Sequence, residues 1–356
     1  MFYGKNTKEQ GIEKNENITF FPHVTVVVPT HNEESFIEKK INNLLNTNYP
    51  KDKLEIIFVD DSDDDTSHII QKYINKFPII NLIKFHERKG YSPSMITGCK
   101  AAKGEIIVLT DAGSLHDDQT ISNLIRHFQN PKIGAVTGNN VILNNNEKIG
   151  NSEKLYIRLY NKMRTAETNM DSTFWFKGEA SAIRKNLITD LINCNATFDT
   201  AAALLIRKKG YKTIYDPQAK YYEYTPKTQS EWVKQKTIRA ANLIKILLQF
   251  KTMLFKPRYG KFGFIILPMN YAMLLITPIT ILIGIISLTI LTFFDFAFSS
   301  LIWSIIGIMM LFLLIFSRNF LFTFIVFIFS LIKAQYQILF TKKTHDMIET
   351  IKSTRR

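Results

Sequence analysis

Cysteine is almost missing from this chain. Cys99 and Cys194 are the only two in 356 residues, a number and spacing that exclude a disulfide framework and a cysteine-rich metal site. Both are expected to be buried thiols in a reducing compartment. An apolar run of signal-peptide length is absent from the first twenty residues, so 1–20 read as a polar leader, and the domain that follows is expected on the cytoplasmic side. Acidic residues are absent between Lys234 and Lys261, where Lys236, Arg239, Lys245, Lys251, Lys256 and Arg258 stand. Charge of either sign nearly vanishes from Phe262 to Phe340, leaving Asp295, Arg318 and Lys333. Soluble cores alternate apolar with polar positions, and this stretch does not. It is long enough for several membrane spans of about 20 residues each. The formal charge of +14 brings no nucleic-acid recognition motif with it, so no nucleic-acid partner is expected. Basic residues flanking apolar spans instead mark the cytoplasmic face. Internal repeats and low-complexity tracts are also missing.

What is present is an alternation. Val24–Val28 is a β-branched run ending at Pro29, the pattern of a strand buried on both faces. Leu54–Val59, Ile79–Phe85, Glu105–Thr110 and Gly134–Leu143 read as further strands. Glu33–Leu45, Asp64–Phe77, Ser94–Ala102, Asp118–Phe128 and Lys154–Met170 read as helices between or after them. Such an order predicts an α/β domain with a mostly parallel sheet covered by helices on both faces. Ligands of such sheets sit beyond the carboxyl ends of the strands. There the chain places Thr30-His31-Asn32-Glu33, Asp60-Asp61-Ser62-Asp63 and Asp111. Farther on, Phe174–Arg184 reads as a loop entering a strand, and Phe198–Lys209 as a helix stopped by Gly210. Thr213–Asp216 and Ala219–Tyr224 read as two short strands. Ser230–Phe255 has the basic and apolar faces of a helix lying at a membrane surface. In the apolar region, Phe262–Phe294 is long for one upright span, and Pro268 and Pro278 are candidate breaks. Leu301–Phe316 and Phe320–Ile332 are further candidate spans. The expected division is therefore 1–20 leader, 21–228 catalytic-type domain, 229–261 interfacial helical segment, 262–340 transmembrane region and 341–356 basic cytoplasmic tail.

VTVVVPTHNEE, IIFVDDSDDDT, GEIIVLTDAGS, FKGEASAIR, FDTAAALLIRKKGYKT and EWVKQKTIRAAN stand in this order along residues 22–255. Together they resemble the inverting family 2 glycosyltransferases of GT-A fold, in their membrane-bound form, with polyprenyl- or dolichyl-linked or polysaccharide acceptors. The resemblance implies a nucleoside-diphosphate sugar (UDP or GDP) as donor, clamped by Pro29, His31, Glu33, Asp60, Asp61 and Gly90. It implies Mg²⁺ or Mn²⁺ on Asp111 against the pyrophosphate. The second carboxylate of the family's Asp-x-Asp is missing, because the run is Asp111-Ala112-Gly113; Asp117 or Asp118 is the nearest helper. Asp199 takes the place of the general base, eleven positions before Gly210, with Phe198 where the family has Glu. Gly178, Glu179, Gln235 and Arg239 match the acceptor side. Processive synthases carry Gln-x-x-Arg-Trp where this chain has Gln235-Lys236-Thr237-Ile238-Arg239. That departure favours transfer of one sugar to a lipid-linked or glycan acceptor at the membrane. A processive polysaccharide synthase and a silent nucleotide-binding scaffold are the alternatives.

Overall fold

The computed structural model describes residues 20–143, 147–188, 198–224, 226, 228–316 and 318–340, without the side chains of 147–149, 198–200, 312–316, 318–319 and 340. The polar leader, the basic tail and Cys194 lie outside the described residues.

Eight strands form one sheet in the order β3-β2-β1-β4-β7-β6-β8-β5. They are β1 (Val24–Thr30), β2 (Leu54–Asp60), β3 (Ile80–Lys84), β4 (Ile106–Leu109), β5 (Leu115–His116), β6 (Ile133–Leu143), β7 (Ser181–Arg184) and β8 (Lys212–Tyr224). The half built from β1 to β4 is parallel throughout, and β7 inserts antiparallel between β4 and β6. All seven residues of β1 are buried, as its unbroken β-branched run requires of a strand covered on both faces. On one face pack α1 (Ile37–Leu45), α2 (Thr66–Ile74) and α4 (Thr120–Arg126). On the other pack α3 (Tyr91–Ala101), α6 (Phe198–Lys208) and α7 (Gln229–Gln249). The long α5 (Glu147–Met170) packs against β6 and β8.

Three differences from the sequence pattern have local causes. Helix α1 starts at Ile37 instead of Glu33, because the backbone of 32–34 is bound to the next loop: Glu33 N–H donates to Thr66 Oγ1 at 2.8 Å and Asn32 N–H to Ser62 Oγ at 2.7 Å. The two short strands after Gly210 are one, β8, whose register against β6 shifts between Thr137 and Asn139. A shift of that kind lets a strand pass Pro217 without losing its partner. Neither Pro268 nor Pro278 breaks the first apolar helix, α8 (Phe262–Phe294). π-helical turns at Phe262–Ile266 and Ala272–Ile276 precede each proline, widening the helix where the ring would strike the preceding turn.

The first part of α8 packs on the domain, and from Thr277 to Phe294 it carries mostly exposed apolar side chains. Those 18 residues span about 27 Å, close to the hydrocarbon thickness of a bilayer. Helix α9 (Phe296–Phe316) returns alongside, started by Asp295, whose Oδ1 accepts the Phe298 N–H at 3.0 Å. Helix α10 (Arg318–Phe340) differs: 39% of its most apolar window is buried, against 11% for α8. It lies along α7 and α5, with Phe322 stacked on Trp232. Among the described residues, two helices, α8 and α10, are long and apolar enough to cross a membrane.

Candidate active site

Three loops at the carboxyl ends of β1, β2 and β3 are laced together by two buried aspartates. Asp60 accepts hydrogen bonds from the hydroxyls of Thr30 and Ser62, each at 2.6 Å, and from Ser67. Both its oxygens are thereby committed within the protein. Asp61 faces the other way. Its Oδ2 accepts the N–H groups of Lys89 (2.9 Å) and Gly90 (2.8 Å), and its Oδ1 lies 3.0 Å from His31 Nδ1. The Asp61 carbonyl is also 3.0 Å from that nitrogen. Since both oxygens only accept, Nδ1 carries the proton. Gly90 sits at φ 82°, a conformation that costs a side chain but not a glycine, and this turn aims its N–H at Asp61. Pro29 lies inside β1 opposite Val59, and Glu33 begins the turn into α1.

Asp111 follows β4. Its Oδ1 is buried without a hydrogen-bond partner among the described residues. A lone buried carboxylate oxygen is a costly arrangement unless something cationic binds it, so the position fits one ligand of a divalent cation. The described residues gather no group of three His, Cys, Asp or Glu side chains. Asp117 stands past β5, where its Oδ2 accepts the Tyr222 hydroxyl at 3.1 Å.

Beneath the Asp111 loop lies a residue the sequence reading passed over. Lys40 is fully buried, and its ammonium donates to Thr110 Oγ1 (2.8 Å) and the Ser114 carbonyl (2.7 Å). Burial lowers its pKa to about 7, with the Asp111 charge pulling the other way. The signal was present: Lys40 shares the buried face of α1 with Ile37, Ile41 and Leu44, a face otherwise apolar. His116 completes the join. Its Nε2 is 2.9 Å from the Glu179 carbonyl and 3.0 Å from Thr110 Oγ1. Burial, then the nearby Lys40 charge, lowers its pKa to about 3, so the ring is neutral. Thr110, His116 and Glu179 thus tie the Asp111 loop to the segment that carries Gly178 and Glu179.

On that second side, a cavity of about 140 Å³ is bounded by α5, α7, α8, α10 and residues 175–179. Three cations, Lys177, Lys236 and Arg239, and one carboxylate, Glu179, line it, and each cation has a carboxylate partner. Lys236 pairs with Glu153 at 2.8 Å, Arg239 with Glu179 at 3.4 Å, and Lys177 lies 3.9 Å from Glu223. Trp232 Nε1 also donates to Glu153, at 2.7 Å. Burial lowers the Lys236 pKa to about 8, opposed by Glu153. Burial also lowers that of Lys177, opposed by Glu223. Arg239 and Glu179 therefore come together, while Gln235 sits half-buried on α7 and does not line this cavity. Lys236, one turn before Arg239, takes the position facing it. Asp199 is the second residue of α6, and its side chain lies outside the described residues.

Comparison with known proteins agrees with this geometry. Residues 25–214 match Glycosyl transferase family 2. The protein named Probable glycosyltransferase YdaM from Bacillus subtilis (strain 168) is 29% identical over 267 residues, 70% of this chain and 62% of that one. Poly-beta-1,6-N-acetyl-D-glucosamine synthase of Staphylococcus aureus (strain COL) is 26% identical over 244 residues, 67% of this chain and 59% of that one. The chain thus spans about three-fifths of the length of these relatives. Among solved structures, the mannosyltransferase PcManGT from Pyrobaculum calidifontis, in complex with GDP-Man and Mn²⁺, superimposes with a TM-score of 0.75. It is 26% identical, over 92% of this chain and 89% of that one. Its likeness covers the C-terminal helices as well as the sheet. With a GT-A-type sheet and a family match over more than half its length, the chain belongs to glycosyl transferase family 2.

Proposed function

We propose that this chain is an inverting glycosyltransferase that moves one sugar from a nucleoside-diphosphate sugar, UDP or GDP-linked, to a membrane-associated acceptor of polyprenyl- or dolichyl-linked type. The carrying observation is the join between two half-sites: the Asp111 carboxylate with its free oxygen, and the Glu179 loop, held together through Thr110 and His116. The donor's nucleoside lies against the His31, Asp61 and Gly90 edge, and its diphosphate extends toward Asp111. A divalent cation, Mg²⁺ or Mn²⁺, held by Asp111 would neutralise charge on the departing diphosphate. The mannosyltransferase neighbour, bound to GDP-Man and Mn²⁺, supports that assignment. Lys40 lies directly under the loop and fixes its backbone through Ser114. Asp199 takes the proton from the acceptor hydroxyl onto its carboxylate as the oxygen attacks the anomeric carbon. One displacement inverts the configuration.

Helices α8 and α9 form the membrane hairpin in this reading, so the chain crosses twice and the domain stays on the cytoplasmic side. The basic run from Lys234 to Lys261 then lies beside the cytoplasmic leaflet. Helix α10, partly buried on the domain, lies at the interface instead of crossing. The processive alternative draws on the Staphylococcus aureus relative, a polysaccharide synthase. Ile238 and Arg239, where processive enzymes carry Arg and Trp, favour the single transfer.

The test is transfer from a panel of UDP- and GDP-sugars by the full chain in lipid, with Mg²⁺ or Mn²⁺ and a polyprenyl-phosphate extract, beside Asp199→Asn. Nucleoside diphosphate release that needs lipid and Asp199, with a product one sugar longer, is the expected outcome. Polymeric product would establish the synthase instead. Nucleotide binding with no turnover would leave a scaffold.

A further inference from the structure

Helix α5 leaves one side uncovered, and the residues there divide by chemistry. Lys154, Arg158 and Lys162 recur every fourth residue, which sets them in a row along the helix. All three are exposed, and they line a groove of about 580 Å³ between α5 and strands β6 and β8. No carboxylate lines that groove, and none of the three forms an ion pair with a described residue. The acidic residues of α5 with described side chains, Glu153 and Glu167, are both buried and bonded inward, to Lys236 and Asn270. Elsewhere in the fold cations are matched: Lys177, Lys236 and Arg239 each stand beside a carboxylate. The row on α5 is therefore a surplus of positive charge on one surface of the helix.

Beside the row the helix is apolar. Leu155 and Leu159 follow Lys154 and Arg158 directly, about 100° farther round the helix. Leu159 is 45% exposed. It shares an apolar recess of about 200 Å³ with Phe320 and Phe324 of α10 and Met273 of α8. Both phenylalanines are also exposed. Met273 comes four residues before Thr277, where the exposed apolar stretch of α8 begins, so Leu159 lies at the foot of the α8–α9 pair. There Thr323 Oγ1 of α10 donates to the Ser152 carbonyl of α5 at 3.4 Å and joins the two helices. Exposed hydrocarbon flanked by unpaired cations is the composition of a helix lying in the headgroup layer of an anionic leaflet. Leucines sink to the hydrocarbon boundary, and the long stems of Lys and Arg carry their charge out to the phosphates.

We propose that the outer face of α5 docks on the anionic phospholipids of the adjoining leaflet, with Leu155 and Leu159 at the hydrocarbon boundary and Lys154, Arg158 and Lys162 on the headgroups. The proposal rests on the membrane reading of α8 and α9. It adds to the basic run of Lys234 to Lys261 a second contact, from a different part of the chain. Two contacts on separate elements fix how the domain stands on the bilayer.

The test uses the full chain in nanodiscs of phosphatidylcholine mixed with phosphatidylglycerol. In a Cys194→Ser background, with Cys99 buried, Leu159→Cys carries an environment-sensitive fluorophore. A nitroxide on the upper acyl chain of a lipid should quench this label, and aqueous iodide should not. A label at Lys72→Cys, exposed on α2, should show the reverse. At equal mole fraction, nitroxide phosphatidylglycerol should quench Leu159→Cys about threefold or more better than nitroxide phosphatidylcholine, since each cation near the surface favours anionic lipid by up to about fivefold. Lys154→Gln with Arg158→Gln and Lys162→Gln should remove most of that preference. Iodide quenching without lipid quenching, or a preference that survives the triple substitution, overturns the proposal. A label at Ile283→Cys, in the exposed stretch of α8, reports on the membrane reading itself. Lipid quenching at Ile283 but not at Leu159 would sink this surface alone, whereas its absence at both would sink the membrane reading of α8.

Discussion

The ion pair between Asp171 and Arg207 is the joint most exposed to test. Arg207 Nη2 reaches both Asp171 oxygens, at 3.1 and 3.2 Å, and also the Tyr259 carbonyl at 3.2 Å. Asp171 Oδ2 in turn accepts the Phe262 N–H at 3.1 Å, the first residue of α8. The end of α5, helix α6 and the start of α8 thus share one carboxylate. Each side chain is only 10% exposed, so solvent takes up little of the charge left when one partner goes. Removing one partner of a buried pair costs about 3–5 kcal/mol, and the freed Phe262 N–H adds about 1 kcal/mol. With some discount for the remaining exposure, Asp171→Ala should destabilise the protein by about 3–4 kcal/mol. Replacing both partners by apolar residues, Asp171→Leu with Arg207→Met, should cost far less than the sum of the single changes. Denaturant unfolding of the full chain in lipid, followed by near-ultraviolet circular dichroism, measures the parent, Asp171→Ala, the two single changes and the double variant. A cost below about 1 kcal/mol for Asp171→Ala, or simple additivity in the double variant, would refute the view that this pair fixes α8 to the domain.

Lys40→Met should leave stability within about 1 kcal/mol, because it removes a buried ammonium along with two hydrogen bonds, yet lower kcat by about tenfold or more. Unchanged kcat would show that the lysine only fills space. Glu167 accepts from Thr173 and Asn270, both at 2.7 Å, and burial raises its pKa from 4.5 to about 7. The folded state therefore keeps a proton between those values that the unfolded state has lost. Stability is complete below pH 4.5 and falls by roughly 3 kcal/mol as pH rises through 7; Glu167→Gln should flatten that slope in the same unfolding assay. In sealed vesicles, Asp295→Cys should react with an impermeant thiol reagent only from the face opposite to Lys251→Cys. Labelling of both from one face would exclude the α8–α9 hairpin as a pair of crossings.

Much of the architecture was legible because period and burial travel together. The β-branched runs of β1, β2 and β4 could only be strands covered on both faces, and the three acidic loops had to meet at their carboxyl ends. Gly210 stood at a helix C-cap, where a positive φ is needed, and it has one. What escaped were features set by partners distant in sequence. Lys40 looked like one more lysine in a helix, and only the Asp111 loop, seventy residues on, gives its ammonium something to hold. Gln235 and Lys236 are neighbours in the chain, and the rotation of α7 against α5 decides that Lys236 is the one facing the cavity.

The apolar C-terminal region divides in the same way. Hydropathy by itself determined that residues 262–340 are apolar enough to leave water, because a run without charge needs no partner to be recognised. Which of these helices packs on the domain was decided by tertiary contacts: Trp232 and Val233 take up one face of α10, and Tyr156 takes up another. A pattern of residue types states what a segment must avoid. Only the tertiary structure, by placing a second surface within contact distance, states what it meets.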